Sequence, residues 1–142
     1  MAIADGQKAN ATNFNAAFAD KNFQTLAAGT NFTIANNVSN QPVTGLIFNK
    51  LAYRSVRIEW QIYRKSTGGG AQLRVQRGCF FVWHDDTNWT LTQDISSATD
   101  AGVTFDIDAT TGQITYTSDN QTGTYSPSTS VLSYQIVHTM RL

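Results

Sequence analysis

The side chains in this chain that could do chemistry are two histidines, His84 and His138, one cysteine, Cys79, and ten acidic residues among 142. His84 precedes Asp85 and Asp86 directly, which brings a ring nitrogen and two carboxylates into one short stretch. A metal needs three or four such donors aimed at one point, whereas consecutive side chains on extended backbone point apart. The stretch reads more simply as a polar hairpin tip running to Asn88. Its second possible chemistry is recognition. An indole, an amide and carboxylates stack on and hydrogen-bond sugars in polar binding sites, which makes His84, Asp85, Asp86, Asn88 and Trp89 a candidate glycan site, with Trp83 close by.

The remaining reactive groups are more isolated. Cys79 has His84 and His138 as conceivable bases, but it stands in an apolar run, where cysteine behaves as a small hydrophobe. Asp106 and Asp108 share one strand parity and Asp100 lies upstream, yet neither calcium-loop spacing nor an acid/base partner accompanies them. Gly68-Gly69-Gly70 has no following Lys-Ser/Thr and no helix to lend its N-terminus to a phosphate. No catalytic residue, metal ligand or cofactor is assigned from the sequence, and an enzyme is not expected.

The elements that would hold these groups are strands. From Gly102 onward apolar residues recur at every second position: Val103, Phe105 and Ile107, then Ile114 and Tyr116, then Leu132, Tyr134 and Ile136. A period of two places one row on each sheet face. Tyr53–Lys65 is the clearest long strand, with Val56, Ile58, Trp60 and Ile62 on one side and Arg57, Glu59, Gln61 and Tyr63 on the other. Gln72–His84 is apolar on both: Leu73, Val75, Cys79, Phe81 and Trp83 share one parity, Phe80 and Val82 the other. A bulge at Gly78, a helix laid over the strand, or a subunit contact would each account for that, and Phe80 and Val82 are candidate interface residues. Shorter strands are expected at Phe32–Ile34, Val43–Phe48, from Trp89, at Val103–Asp108, at Ile114–Ser118 and over Val131–Leu142. Loops are expected before Pro42, at Ala109–Gly112 where glycine suits positive φ, and over Asp119–Ser130.

Only the start differs. Over Asn10–Ala28 alanine is abundant, and Phe14, Ala17, Phe18 and Lys21 fall at helical spacing. The spacing predicts a short amphipathic helix whose Phe14/Phe18 stripe needs a surface, either on this domain's own sheet or on a neighbour. The organisation expected is a helical anchoring segment at 1–29 and an all-β antiparallel sandwich, jelly-roll-like, at 30–142.

Composition limits the partners. Charged residues are 14% of the chain, against about 25% in ordinary globular proteins. Ten basic and ten acidic residues cancel, so nothing pulls the chain electrostatically toward nucleic acid or an anionic membrane. No apolar run reaches membrane-span or signal-peptide length, so synthesis in a cytoplasm is expected. A single cysteine cannot close an intrachain disulfide.

The chain also carries a resemblance. Val56-Arg-Ile-Glu-Trp-Gln-Ile-Tyr-Arg64 before a glycine-rich turn, Gly102-Val-Thr-Phe105, Gly112-Gln-Ile-Thr-Tyr-Thr-Ser118, Gly123-Thr124 and Leu132-Ser-Tyr-Gln-Ile136 resemble, in order and spacing, small β-domains of tailed-bacteriophage structural and fibre proteins. The opening Ala4-Asp-Gly-Gln-Lys8 and Asn15-Ala-Ala-Phe18 resemble the starts of such proteins. The resemblance implies a non-enzymatic virion component made in a bacterial host, commonly a homotrimer, docked on other virion proteins through its N-terminal segment. No internal repeat or heptad seam is present, which favours a short fibre, a collar or spike piece, or a capsid decoration over a long fibre. Binding of a host-surface glycan is the alternative role.

Overall fold

The computed structural model describes residues 29–96 and 99–141. The helix read over Asn10–Ala28, its Phe14 and Phe18, and the anchoring segment up to Ala28 lie outside the described residues. The rest is all-β. Eight strands follow in order: β1 (Thr30–Thr33), β2 (Val38–Ile47), β3 (Ser55–Thr67), β4 (Leu73–His84), β5 (Trp89–Ile95), β6 (Val103–Ile107), β7 (Gln113–Ser118) and β8 (Thr124–Met140). They form two antiparallel sheets, one of five strands in the order β1-β8-β3-β4-β5 and one of three in the order β2-β7-β6.

Strict alternation in β3 positions the core. Val56, Ile58, Trp60 and Ile62 are buried while Arg57, Glu59 and Gln61 face out. Val43 and Leu46 of β2, Val103 of β6, and Ile114 and Tyr116 of β7 meet them from the smaller sheet. Aromatic rings close the space between the sheets: Phe105 lies 5.4 Å from Trp60 and 4.8 Å from Phe80, centroid to centroid, and Phe32 meets Tyr116 edge-on at 5.6 Å. Each such buried side chain contributes roughly 1.5–3 kcal/mol of transfer free energy.

Two expectations about β4 are corrected. Its register with β3 runs without interruption from Leu73 opposite Lys65 to Trp83 opposite Ser55, so Gly78 is no bulge. Gly78 instead makes room: a Cβ there would stand 2.7 Å from the Trp60 ring and 2.5 Å from the Asp94 carbonyl oxygen. Phe80 and Val82 are not an interface pair, because with parity kept they turn inward and both are fully buried. The apolar surplus on the outside of β4 is Leu73, Val75, Phe81 and Trp83.

Strand lengths also depart from expectation at β2 and β8. The stretch before Pro42 is strand rather than loop. β2 is an edge strand, where proline's missing N–H costs no ladder bond, and Pro42 pairs with Thr115 between two register shifts. Asp119–Ser130 is a loop only as far as Gly123, for β8 opens at Thr124. Arg64 pairs with Ser130 and Ser66 with Tyr125, so residues 126–129, Pro127 among them, bulge out opposite Lys65 without ending the strand. Gly112 ends the β6–β7 turn as expected, at φ +73. Among the described residues no helix is long and apolar enough to cross a membrane.

Candidate functional site

The β4–β5 turn sets the candidate glycan residues in two groups. Asp85 Oδ1 accepts the backbone N–H groups of Thr87 and Asn88 at 2.9 and 2.7 Å. Those bonds, Asn88's first and Thr87's second, hold its carboxyl below the usual carboxylate range. Asp86 adopts positive φ and pairs with Arg54 at 2.5 Å. Asp85, Asp86 and Asn88 are exposed. His84 and Trp89 are not: they pair across the strands, rings edge-on at 5.0 Å, and the indole also leans on Phe48. Trp89 is 3% exposed, so its face is spent on packing and offers no platform for a sugar. The His84 ring is likewise committed, its Nδ1 accepting the Asp86 N–H at 3.1 Å. Of the five candidates, the turn brings only Asp85, Asp86 and Asn88 to solvent together.

The other titratable groups stay apart. Asp108 accepts the N–H groups of Thr111 and Thr110, in that order of effect, and its carboxyl is lowered by this turn-capping role. Asp100 caps Gly102 N–H and Asp106 bonds Ile107 N–H. Cys79 lies half-buried on the outer side of β4, where Arg57 Nε donates to its sulfur at 3.3 Å and the Arg57 guanidinium stands 5.6 Å from the Phe81 ring centre. Among the described residues no three His, Cys, Asp or Glu side chains gather as a metal site.

One polar cluster was missed by the sequence reading. Arg64, on the inward parity of β3, is 0% exposed. It donates to Asp119 Oδ1 at 2.7 Å, Ala101 O at 2.6 Å, Asn36 Oδ1 at 2.9 Å and Asp119 O at 3.0 Å. Arg74 takes the other Asp119 oxygen at 2.6 Å. Gln76 bonds Ala101 N–H, and Gln121 bonds the Arg64 and Gln72 carbonyls. Extending the alternation of Val56 to Ile62 by one step would have placed Arg64 in the core. The cluster ties the β1–β2, β5–β6 and β7–β8 connections to the larger sheet, so it fixes one end of the sandwich rather than forming an open site.

Burial raises the Asp119 carboxyl, but the hydrogen bonds and charges of Arg74 and Arg64 outweigh it and hold the group below its ordinary value. A carboxyl depressed in the folded state stabilises fully above its unfolded pKa, about 3.9, and that contribution is lost as pH falls through the lower folded value. The urea midpoint of the wild type should therefore drop more steeply on acidification below about pH 4 than that of Asp119→Asn. Parallel pH profiles would contradict this, since Asp85 and Asp108 titrate alike in both proteins. No family model, curated protein or solved structure matches the chain.

Proposed function

We propose that this protein is a non-enzymatic structural component of a bacteriophage virion, a short fibre, collar or spike piece, or capsid decoration. In this reading it assembles as a homo-oligomer, a trimer by the family resemblance, and docks through its N-terminal segment. The β1–β8 and β2–β7 pairings, which bring distant parts of the chain side by side, support a jelly-roll-like description, although β3-β4-β5 run as a meander within one sheet. The observation that carries the assembly reading is the outer face of the larger sheet, where Phe81, Trp83 and Met140 are 41%, 38% and 57% exposed. A half-solvated antiparallel sheet is ordinarily polar on its water side, and apolar groups gathered there mark a contact surface. The weakly charged, neutral composition does little to keep copies apart.

Light scattering tests the reading. A mass three times the 15.6 kDa of one chain is expected at high concentration, and a persistent monomer would remove the assembly. Genes for portal, tail or capsid proteins beside this one would support the virion assignment, and their absence would count against it.

A further inference from the structure

We infer that the outer face of the five-stranded sheet is the surface through which one copy of this chain binds a second. The inference rests on the assembly reading above and names the face that carries it. The two solvent-facing sheet surfaces of the molecule differ sharply. On the smaller sheet the outward residues of β6 and β7 are Thr104, Asp106, Gln113, Thr115 and Thr117, all polar, and the edge strand β2 adds one large apolar side chain, Ile47, 56% exposed opposite Gln113. On the larger sheet they are Tyr63, Leu73, Val75, Phe81, Trp83 and Met140, with charged groups between. The same solvent bathes both, so β-propensity alone does not explain six apolar side chains on one against one, Ile47, on the other.

The layout of that face suits a copy of itself. Trp83 and Phe81 lie at one end of the β3–β4 ladder and Leu73 at the other. Between them is a hollow of about 510 Å³ lined by Glu59, Gln61, Cys79, Asp94, Ser133 and Gln135, with Arg57 and Arg77 at its walls. The charges in this middle band are Arg57, Arg77, Glu59 and Asp94, which sum to zero. An anionic partner such as nucleic acid or a lipid surface would meet as much repulsion as attraction there. Where this face meets a neighbouring copy, the acids of one can approach the arginines of the other. Size agrees as well. The eleven paired residues of β3 and β4 span about 37 Å and five strands span about 19 Å, a footprint of about 700 Å² where a standard interface uses about 800 Å² per partner.

Sedimentation of the full chain over a range of concentrations tests the assignment. Phe81→Glu should raise the dissociation constant about thirtyfold or more, the effect of losing one hot-spot residue. Thr92→Lys, which adds a charge opposite Phe81 without removing a packed atom, should weaken association in the same direction. Thr104→Lys on the smaller sheet should leave it unchanged. A wild type that self-associates while Phe81→Glu and Thr92→Lys associate equally well overturns this face and leaves the assembly reading standing. A wild type that stays monomeric at every concentration overturns both. Faster alkylation of Cys79 in a monomeric Phe14→Ser/Phe18→Ser chain than in a monomeric wild type would identify the chain's own N-terminal residues as the cover, against a second copy.

Discussion

Replacing Arg64 by alanine is expected to lower the free energy of unfolding by about 3–5 kcal/mol, through the cavity left by a fully buried side chain and an orphaned buried acceptor. The Asp119 carboxylate is not the main reason, since it is 46% exposed and keeps Arg74. The larger loss lies at Ala101 O, whose side-chain donor is Arg64, and in the volume of a fully buried side chain. Ala101 O, Asp119 O and Asn36 Oδ1 would each lose a guanidinium N–H. Asp119 O keeps the Asn37 N–H and Asn36 Oδ1 the Gln121 N–H, so Ala101 O is the buried acceptor left unsatisfied, at a cost of about 1–3 kcal/mol. Methionine refills the volume yet leaves Ala101 O unsatisfied, so Arg64→Met should remain below wild type. Urea unfolding measures both. A loss under about 1 kcal/mol, the scale of a surface ion pair, would mean the cluster is ornamental to stability.

Phe80→Ala carries the second large expectation. Phe80 is fully buried and touches the rings of Trp60 and Phe105, 5.3 and 4.8 Å away by centroids, so it links the two sheets. Truncating a core phenylalanine costs about 3–5 kcal/mol through lost transfer energy and the cavity left behind. Its neighbour Phe81 points the other way. Phe81→Glu should change stability far less, while altering association between copies. The two variants thus separate core from contact surface at adjacent positions. Thermal melts and sedimentation on both proteins check the pair, and the assignment of faces fails if Phe81→Glu unfolds the chain while Phe80→Ala leaves the melting temperature alone.

How far the residues foretold this arrangement depends on how strictly each segment alternates. β3 was legible because each inward apolar residue is flanked by outward polar ones, which leaves one choice of face. β4 was not. With Phe80, Phe81, Val82 and Trp83 in succession, parity says which residues share a side but not which side is inside, and only pairing with β3 settles it. Arg64 was passed over because its charge argues for solvent, although its parity argues for the core. β8 was shortened in the reading because Pro127 and a run of serines and threonines resemble a loop, whereas a local bulge absorbs them and the ladder resumes. In the candidate recognition site, the exposed carboxylates of the turn were legible from the Asp-Asp-Thr-Asn sequence. The burial of Trp89 was not, since it depends on Phe48, forty-one residues earlier in the chain.

The alkylation rate of Cys79 as a function of protein concentration tests most directly whether the outer sheet joins copies of this chain. Cys79 is the sole cysteine, half-buried, and lines the hollow at the middle of that face. The rate should fall as concentration rises and the sheets close over the thiol, and Phe81→Glu should restore the dilute rate. A rate that does not change from dilute to concentrated protein, in a sample whose mass shows it has associated, would place the contact elsewhere on the molecule.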